Sequence, residues 1–292
     1  MKGNDRKDAA DILAAEVLLL SRMLTRERDR IPREYLKDPG LRRAYLGYFL
    51  PANEQKVHLP LAELFLSPGS PTENAELRVL DIGTGPGTSL LGVLGFFAGR
   101  ERRPRLSFTA VDRVRENLAE ARLKEQYDLI LFSNVLNELF SGEDDRVPRS
   151  IALVGSILRT LLTDDGSVII IEPALRETSR DLLRVRDGLL REGFTVFAPC
   201  LVQENCPALE HPRDWCHEDL AWEPPALVRE IDQRIGLRKD SLKFSYLVLR
   251  KDVRTLAGVL PGGCYRVVSE PLVTRGKTEL FLCGKGGRRL VV

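Results

Sequence analysis

The stretch VLDIGTGPGT, residues 79–88, decides how this chain folds. An apolar run ends in an acid, Asp81, and three glycines follow at alternate positions, Gly83, Gly85 and Gly87. Glycine reaches positive φ without steric cost, so this spacing marks a tight turn. Placed between a strand and a helix, such a turn lets backbone N–H groups crowd a ligand at the helix N-terminus. The dinucleotide fingerprint wants its third glycine one residue later, where Thr88 stands. Taken alone, the glycines also admit a plainer reading, a strand–helix turn that needs their backbone angles.

Outward from the turn, apolar runs alternate with helical periods. LRVLDI (77–82) reads as a strand and SLLGVLGFFAG (89–99) as its helix; RLSFTAVD (105–112) and VRENLAEARL (114–123) repeat the pair. YDLILFS (127–133) is a buried strand followed by the helical NVLNELF, and SVIIIEP (167–173) is another strand. An amphipathic helix follows over 178–194, then strands TVFAP (195–199) and SLKFSYLVLR (241–250). Strands alternating with helices predict an α/β fold with a mostly parallel, doubly wound sheet. Before it, apolar stripes at helical period make residues 1–70 a helical region. The sheet domain is expected over 71–252 with an insertion at 199–224. Beyond residue 253, YRVVSEPLV and TELFLCG flank the turn TRGK and predict a small C-terminal β unit.

Composition narrows the function classes. The 292 residues are 43% hydrophobic and 29% charged, with a formal net charge of +2. Such a balance creates no whole-molecule field for nucleic acid, so any basic surface must be local. No apolar stretch approaches the roughly 20 residues needed to span a membrane, and the N-terminus resembles no targeting segment. A cytoplasmic, reducing setting is the expectation, in which clustered cysteines bind metal or do chemistry more often than they pair. Nothing in the sequence sets the oligomeric state; a monomer is expected. A hydrolase triad fails because there is no G-x-S-x-G and the histidines are only His58, His211 and His217.

With its acid at the strand end, the glycine turn resembles motif I of class I S-adenosylmethionine-dependent methyltransferases. The resemblance implies that Asp81, Gly83, Gly85 and Gly87 hold the methionine part of the cofactor. It also implies that Asp112, ending the second strand, holds the ribose hydroxyls, and that Asn134 lies at the cofactor edge. Two departures stand out. Only residues 113–127 separate Asp112 from Asp128, room for one helix, so the third strand that helps bind adenine is expected to be missing or vestigial. At the catalytic edge, Ser133, Asn134, Val135 and Leu136 replace the Asn/Asp-Pro-Pro-aromatic sequence of amino-methylating members. No general base is evident, and catalysis would rest on positioning.

A second feature is Cys200-x5-Cys206-x9-Cys216. It is neither a zinc knuckle nor a ferredoxin run. Cys200 closes a parallel strand, and carboxyl ends of such strands face the ligand crevice. Three thiolates need a fourth ligand, and Cys264, Cys283, His211 and His217 are available. Iron–sulfur, zinc and plain buried thiols all remain open on spacing.

AYLGYFLPANEQKV (44–57), VLDIGTGPGT (79–88), SNVLNEL (133–139), IIEP (170–173), APC…C…DWCH (198–217), KFSYLVL (243–249) and RVVSEP…ELFLCGKGG (266–287) run through nearly the whole chain. In that order they resemble the bacterial and mitochondrial methyltransferase-like proteins associated with the small ribosomal subunit. The resemblance implies a [4Fe–4S] cluster on Cys200, Cys206, Cys216 and Cys283, with zinc as the alternative metal. It leaves Cys264 as a packed thiol. It also implies rRNA as partner, for which Arg100, Arg102 and Arg103 form one basic run. Arg275, Lys277, Lys285, Arg288 and Arg289 form another; a solvated charged surface explains the first run equally simply, whereas the second, beside a proposed cluster ligand, is read as an RNA contact. Two functions follow: methyl transfer to small-subunit rRNA, or assembly of that subunit without turnover.

Overall fold

The fold is described from a computed structural model covering every residue except 1, 28–31, 33, 71–73, 102 and 113–124, with side chains from residue 9 onward. The helices α1 (Lys2–Thr25), α2 (Pro39–Ala44), α3 (Leu50–Lys56) and α4 (His58–Phe65) open the chain. Then come β1 (Glu76–Ile82), α5 (Thr88–Ala98), β2 (Arg105–Val111), β3 (Tyr127–Ser133), α6 (Leu136–Leu139), α7 (Arg146–Thr160), β4 (Leu162–Pro173), α8 (Arg176–Arg191) and β5 (Thr195–Ala198). They are followed by β6 (Glu218–Ala221), α9 (Ala226–Ile235), β7 (Ser241–Arg250), α10 (Leu256–Val259), β8 (Arg266–Val267), β9 (Leu272–Thr274), β10 (Lys277–Gly284) and β11 (Gly287–Val291).

The chain divides into two compact units. Residues Met1–Gln55 and Asp219–Leu242 form the first, Lys56–Glu218 and Lys243–Val292 the second. In the first, Ala14, Val17, Leu20, Ala44, Tyr48, Val228 and Ile231 make the core. Asp38 caps α2 by accepting from Leu41 N at 2.9 Å, replacing one donor bond that a helix start leaves open. Lys239 lies over the Tyr48 and Phe49 rings at 4.5 and 4.6 Å. Burial brings its ammonium down to about 8, although Asp232 favours the charged form.

The second unit holds the main sheet, in the order β2-β1-β3-β4-β7-β5. β2, β1, β3 and β4 are parallel neighbours, and β7 runs antiparallel between β4 and β5. Parallel strands covered on both faces read as continuous apolar runs, and YDLILFS and SVIII in β3 and β4 do so. Their side chains join Leu80, Ile82, Leu182, Leu189, Leu247 and Leu249 in one core. This is the Rossmann-like class I methyltransferase fold. Among the described residues β2 is the edge of the sheet, with no further strand beside it, in line with the short spacing after Asp112. The helix expected over 114–123 lies outside the described residues.

Register brings the site together. Ile82 pairs Val111 and Phe132, and Ser133 pairs Ile171. The carboxyl ends of four parallel strands therefore form one edge carrying the glycine turn, Asp112, Asn134 and Glu172.

Three helices, α7, α9 and α10, and two strands, β6 and β11, have no counterpart in the sequence reading. α7 contains Pro148 and Gly155, both poor helix residues in an interior. Pro148 falls in the first turn, where its missing N–H costs nothing, and small residues suit the packing of α7 against α8. A Cβ on Gly188 of α8 would overlap the Ile151 side chain of α7. α9 follows the prolines of EPPALV, which masked its start. The C-terminal unit is larger than one hairpin: β10 pairs β8, β9 and β11, all antiparallel. The extra strand follows from Gly286 and Gly287 at φ 92° and 89°, which let the chain reverse a second time.

Candidate functional site

Local geometry makes the glycine turn. Gly83 N and Thr84 N donate to Val111 O at 2.7 and 3.2 Å, tying the turn to the end of β2. Gly87 N donates to Thr84 O at 2.8 Å, and Leu91 N to Gly87 O at 3.0 Å, which starts α5. Gly83, Gly85 and Gly87 all have positive φ, at 73°, 49° and 82°. The three differ in their surroundings. A Cβ on Gly83 would run into the Val135 side chain, whereas beyond Gly85 and Gly87 there is open space within 4 Å. Gly83 is thus required by packing and conformation, and the other two leave backbone open to an incoming group.

Asp81 sits beneath this turn, 1% exposed. Burial raises its carboxyl to about 6; the Thr84 hydroxyl opposes the rise and the Asp112 charge adds to it. Neither Asp81 Oδ2 nor Thr84 Oγ1 completes a hydrogen bond of good geometry, and both atoms are buried. Such orphaned atoms are uncommon in folded chains, and a ligand donor would satisfy them. Asp112 is exposed at the end of β2.

Across the edge, Asn134 takes φ 57°, a left-handed value that Asn tolerates better than most residues. Its N–H donates to Ile171 O at 2.7 Å. The next residues are held by a group the sequence reading passes over, Glu172, 2% exposed at the end of β4. Its two oxygens accept from Leu136 N at 3.0 Å and Asn137 Nδ2 at 2.5 Å. An acid closing the apolar run SVIII is the signal that could have found it.

The cysteines form the second constellation. Cys200, Cys206, Cys216 and Cys283 line one pocket together with Arg186 and Tyr246. Cys264 is exposed and is not in that lining. Burial raises the Cys206 thiol to about 12, with the nearby Cys200 sulfur adding to the rise. The same two causes raise Cys216 and Cys283.

α8 organises the loop that carries three of these thiols. Arg186, 0% exposed, donates from Nε to Cys200 Sγ at 3.2 Å. It also donates to Val202 O and Glu204 O, both at 2.7 Å, and pairs with Asp187 at 2.5 Å. Asp187 in turn accepts Cys206 N at 3.1 Å on both oxygens. Arg180 donates to Ala208 O and His211 O at 3.1 and 2.8 Å. Ser245 of β7 donates to Cys216 O at 2.9 Å. Trp215 and His217 stack at 4.2 Å between ring centres.

Cys283 arrives from the other side, in β10, with Arg266 and Arg288 as its two cross-strand partners. Arg288 pairs with Asp214 of the cysteine loop. Arg266 pairs with Glu63 at 2.5 Å and Glu218 at 3.0 Å, and donates to Tyr246 Oη at 2.7 Å. The C-terminal sheet is therefore tied to the rest of this unit by ion pairs and by the Arg266–Tyr246 hydrogen bond. Among the described residues, no group of three or more His, Cys, Asp or Glu side chains is set around a single metal ion. The donor set is chemically that of a four-thiolate centre, and Arg186 and Arg288 lie where they would offset its negative charge.

The basic residues fare differently from one another. Arg100 is stacked over Phe65 and Phe96 at 4.5 and 4.1 Å, and its Nε is buried without a partner. Its guanidinium is engaged by aromatic rings, as cations over π faces are, rather than presented as part of a basic patch. Arg102 lies outside the described residues. Arg103 is exposed and donates to Arg100 O. Arg275, Lys277, Lys285 and Arg289 are exposed on the C-terminal sheet; Lys277 pairs with Glu279 and Arg289 covers Tyr265. Arg288 faces inward, over Phe281 at 4.2 Å.

Comparison with known proteins fits this geometry. A Schizosaccharomyces pombe protein, "Uncharacterized protein UNK4.09", is 28% identical over 234 residues, covering 73% of this chain and 64% of its own length. The chain thus spans less than two thirds of that relative. Among solved structures, the methyltransferase CalH with bound SAH superposes with a TM-score of 0.34 at 18% identity, covering 76% of this chain and 63% of its own. The CurJ carbon methyltransferase gives 0.36 at 16%, covering 81% and 67%. The fold assignment rests on strand order and not on these superpositions. The sequence profile of the family described as mitochondrial small ribosomal subunit Rsm22 matches residues 100–291, from before β2 to the penultimate residue. With the C-terminal sheet and all four converging cysteines inside that match, the chain belongs to the Rsm22 family.

Proposed function

We propose that this protein binds S-adenosylmethionine at the glycine turn, carries a [4Fe–4S] cluster on Cys200, Cys206, Cys216 and Cys283, and acts on the RNA of the small ribosomal subunit. The convergence of three cysteines of one loop with the distant Cys283 on one pocket carries the reading. Plain structural thiols need no such meeting, and four thiolates suit an iron–sulfur cluster, with zinc second. The family description supplies the ribosomal subunit as partner.

At the glycine edge the residues fit the cofactor. Gly85 and Gly87 leave their backbone open, and Asp81 Oδ2 lacks the donor that an ammonium group supplies. Asp112 stands at the strand end where ribose hydroxyls would be held. When bound, the cofactor supplies an electrophilic methyl on a sulfonium. The chain's own residues orient it: Glu172 fixes Leu136 and Asn137, and Asn134 turns the backbone toward the same edge.

One observation favours a second reading. The described sheet stops at β2, leaving no strand to wall the adenine side. On that reading the protein assembles the small subunit by binding rRNA through a metal-braced surface, without methyl transfer. Calorimetry with S-adenosylmethionine separates the two in part: binding is expected, and its absence removes the enzyme. Crosslinking to RNA in cell extract is expected to recover small-subunit rRNA; recovery of none would end both readings.

A further inference from the structure

The fully buried Arg186 has no role in the cofactor edge, yet four groups converge on it. A buried guanidinium is costly unless each of its donors is engaged and its charge is matched. Asp187 matches the charge, and the carbonyls of Val202 and Glu204 take two donors. Of the two N–H groups left, Nε–H points at Cys200 Sγ at 3.2 Å. A neutral thiol is a weak acceptor, so this contact is best satisfied when Cys200 is a ligating thiolate. The held segment runs from Cys200 to Cys206, whose own N–H is bound by the same Asp187.

We propose that Arg186 is the positioning residue of the cysteine centre: it holds Cys200 and the 200–206 loop in ligating order before metal arrives, and its charge sets the redox potential of the loaded centre. This rests on the four-thiolate reading given above. Hydrogen bonds and charges near ligand sulfurs tune such centres. Reduction adds one electron, supplied in a titration by dithionite, and so one negative charge beside the guanidinium. The cation stabilises the reduced form, and its removal moves the midpoint potential to more negative values.

The test uses the full chain with Arg186→Gln and Arg186→Lys. In chelator-treated, metal-free protein, hydrogen exchange over residues 200–206 is expected to quicken in both variants, since each offers its donors from a single nitrogen where the guanidinium uses three. After anaerobic reconstitution, R186Q is expected to hold several-fold less iron and sulfide and to show a more negative midpoint potential. R186K, which keeps the charge, is expected to stay near the parent potential. Unchanged exchange together with an unchanged potential in R186Q overturns the proposal. Should R186Q fail to fold, unchanged exchange in R186K overturns it equally. Should the parent chain take up no iron and sulfide, the four-thiolate reading has failed, and the exchange measurement alone decides whether Arg186 orders the loop.

Discussion

The glycine edge and the cysteine pocket lie on the same side of one sheet and are built on opposite principles. At the cysteine pocket, Arg186, Arg180, Asp187 and Ser245 bind the loop from the scaffold, and Arg288 and Arg266 hold the strand that brings Cys283. At the glycine edge the structure leaves Asp81 and Thr84 with buried, unpaired oxygens, and two of three glycines face open space. A braced pocket is suited to a permanent resident, and an open edge to a ligand that comes and goes. The contrast also explains why the cysteine region weighs more on the fold: it closes the C-terminal sheet onto the main one.

The largest effects should come from the braced side. Cys283→Ser or Cys200→Ser is expected to remove the bound metal and with it a contribution to folding on the order of 10 kcal/mol. Cys264→Ser, outside the pocket, is expected to be mild. Iron content and thermal melts of all three check this, and equal losses would break the division of the cysteines.

Next comes a comparison within the turn. Gly83→Ala meets both positive φ and the Val135 side chain, for an expected cost of about 3–5 kcal/mol. Gly85→Ala meets only the conformational term, about 1–2 kcal/mol. Denaturant titration of both variants measures the gap. A Gly85→Ala variant as damaged as Gly83→Ala would show that the space beyond Gly85 is not open.

Asp81 gives a pH dependence. Its folded-state carboxyl, at about 6, stands above the ordinary aspartate value of roughly 4. The folded state therefore binds the proton more tightly than the unfolded chain. Its contribution is fully favourable below about pH 4 and is lost as pH rises through about 6. Asp81→Asn is expected to stabilise the protein at pH 7 by on the order of 2 kcal/mol, to flatten stability between pH 4 and 6, and to abolish cofactor binding. Melts across that window test the first two, and calorimetry the third.

The smallest effect belongs to the exposed cations. Arg275→Gln with Lys285→Gln is expected to weaken RNA binding several-fold at low salt and to flatten its salt dependence by roughly 0.7–0.9 per lost phosphate contact. Arg100→Gln is expected to leave that slope unchanged, because its guanidinium is stacked over Phe65 and Phe96. A matching loss would return Arg100 to the RNA surface.

Much of the glycine edge was legible beforehand because it is local. A strand, an acid and three alternate glycines specify their own turn within ten residues, and the short spacing after Asp112 leaves no room for a full strand and helix. The stripes that build β3, β4 and α8 are equally local, since they are hydrophobic periods. The helix α7 was not legible: Pro148 and Gly155 argue against it one by one, yet Pro148 falls in the first turn, and a side chain on Gly155 would meet Glu192 at the end of α8. Arg186 was not legible either, being one of several arginines on an amphipathic helix.

Sequence alone determined that this chain makes a nucleotide-type sheet with a tight glycine turn, because backbone sterics and side-chain periodicity act between neighbours in the chain. Cysteine spacing left the fourth thiol open and only the family resemblance named Cys283; tertiary structure brought it to the pocket of the other three, set Arg186 rather than a surface arginine against them, and stacked Arg100 on rings rather than in a basic patch. Those outcomes depend on strand order and on burial, which bring together side chains that no spacing rule connects.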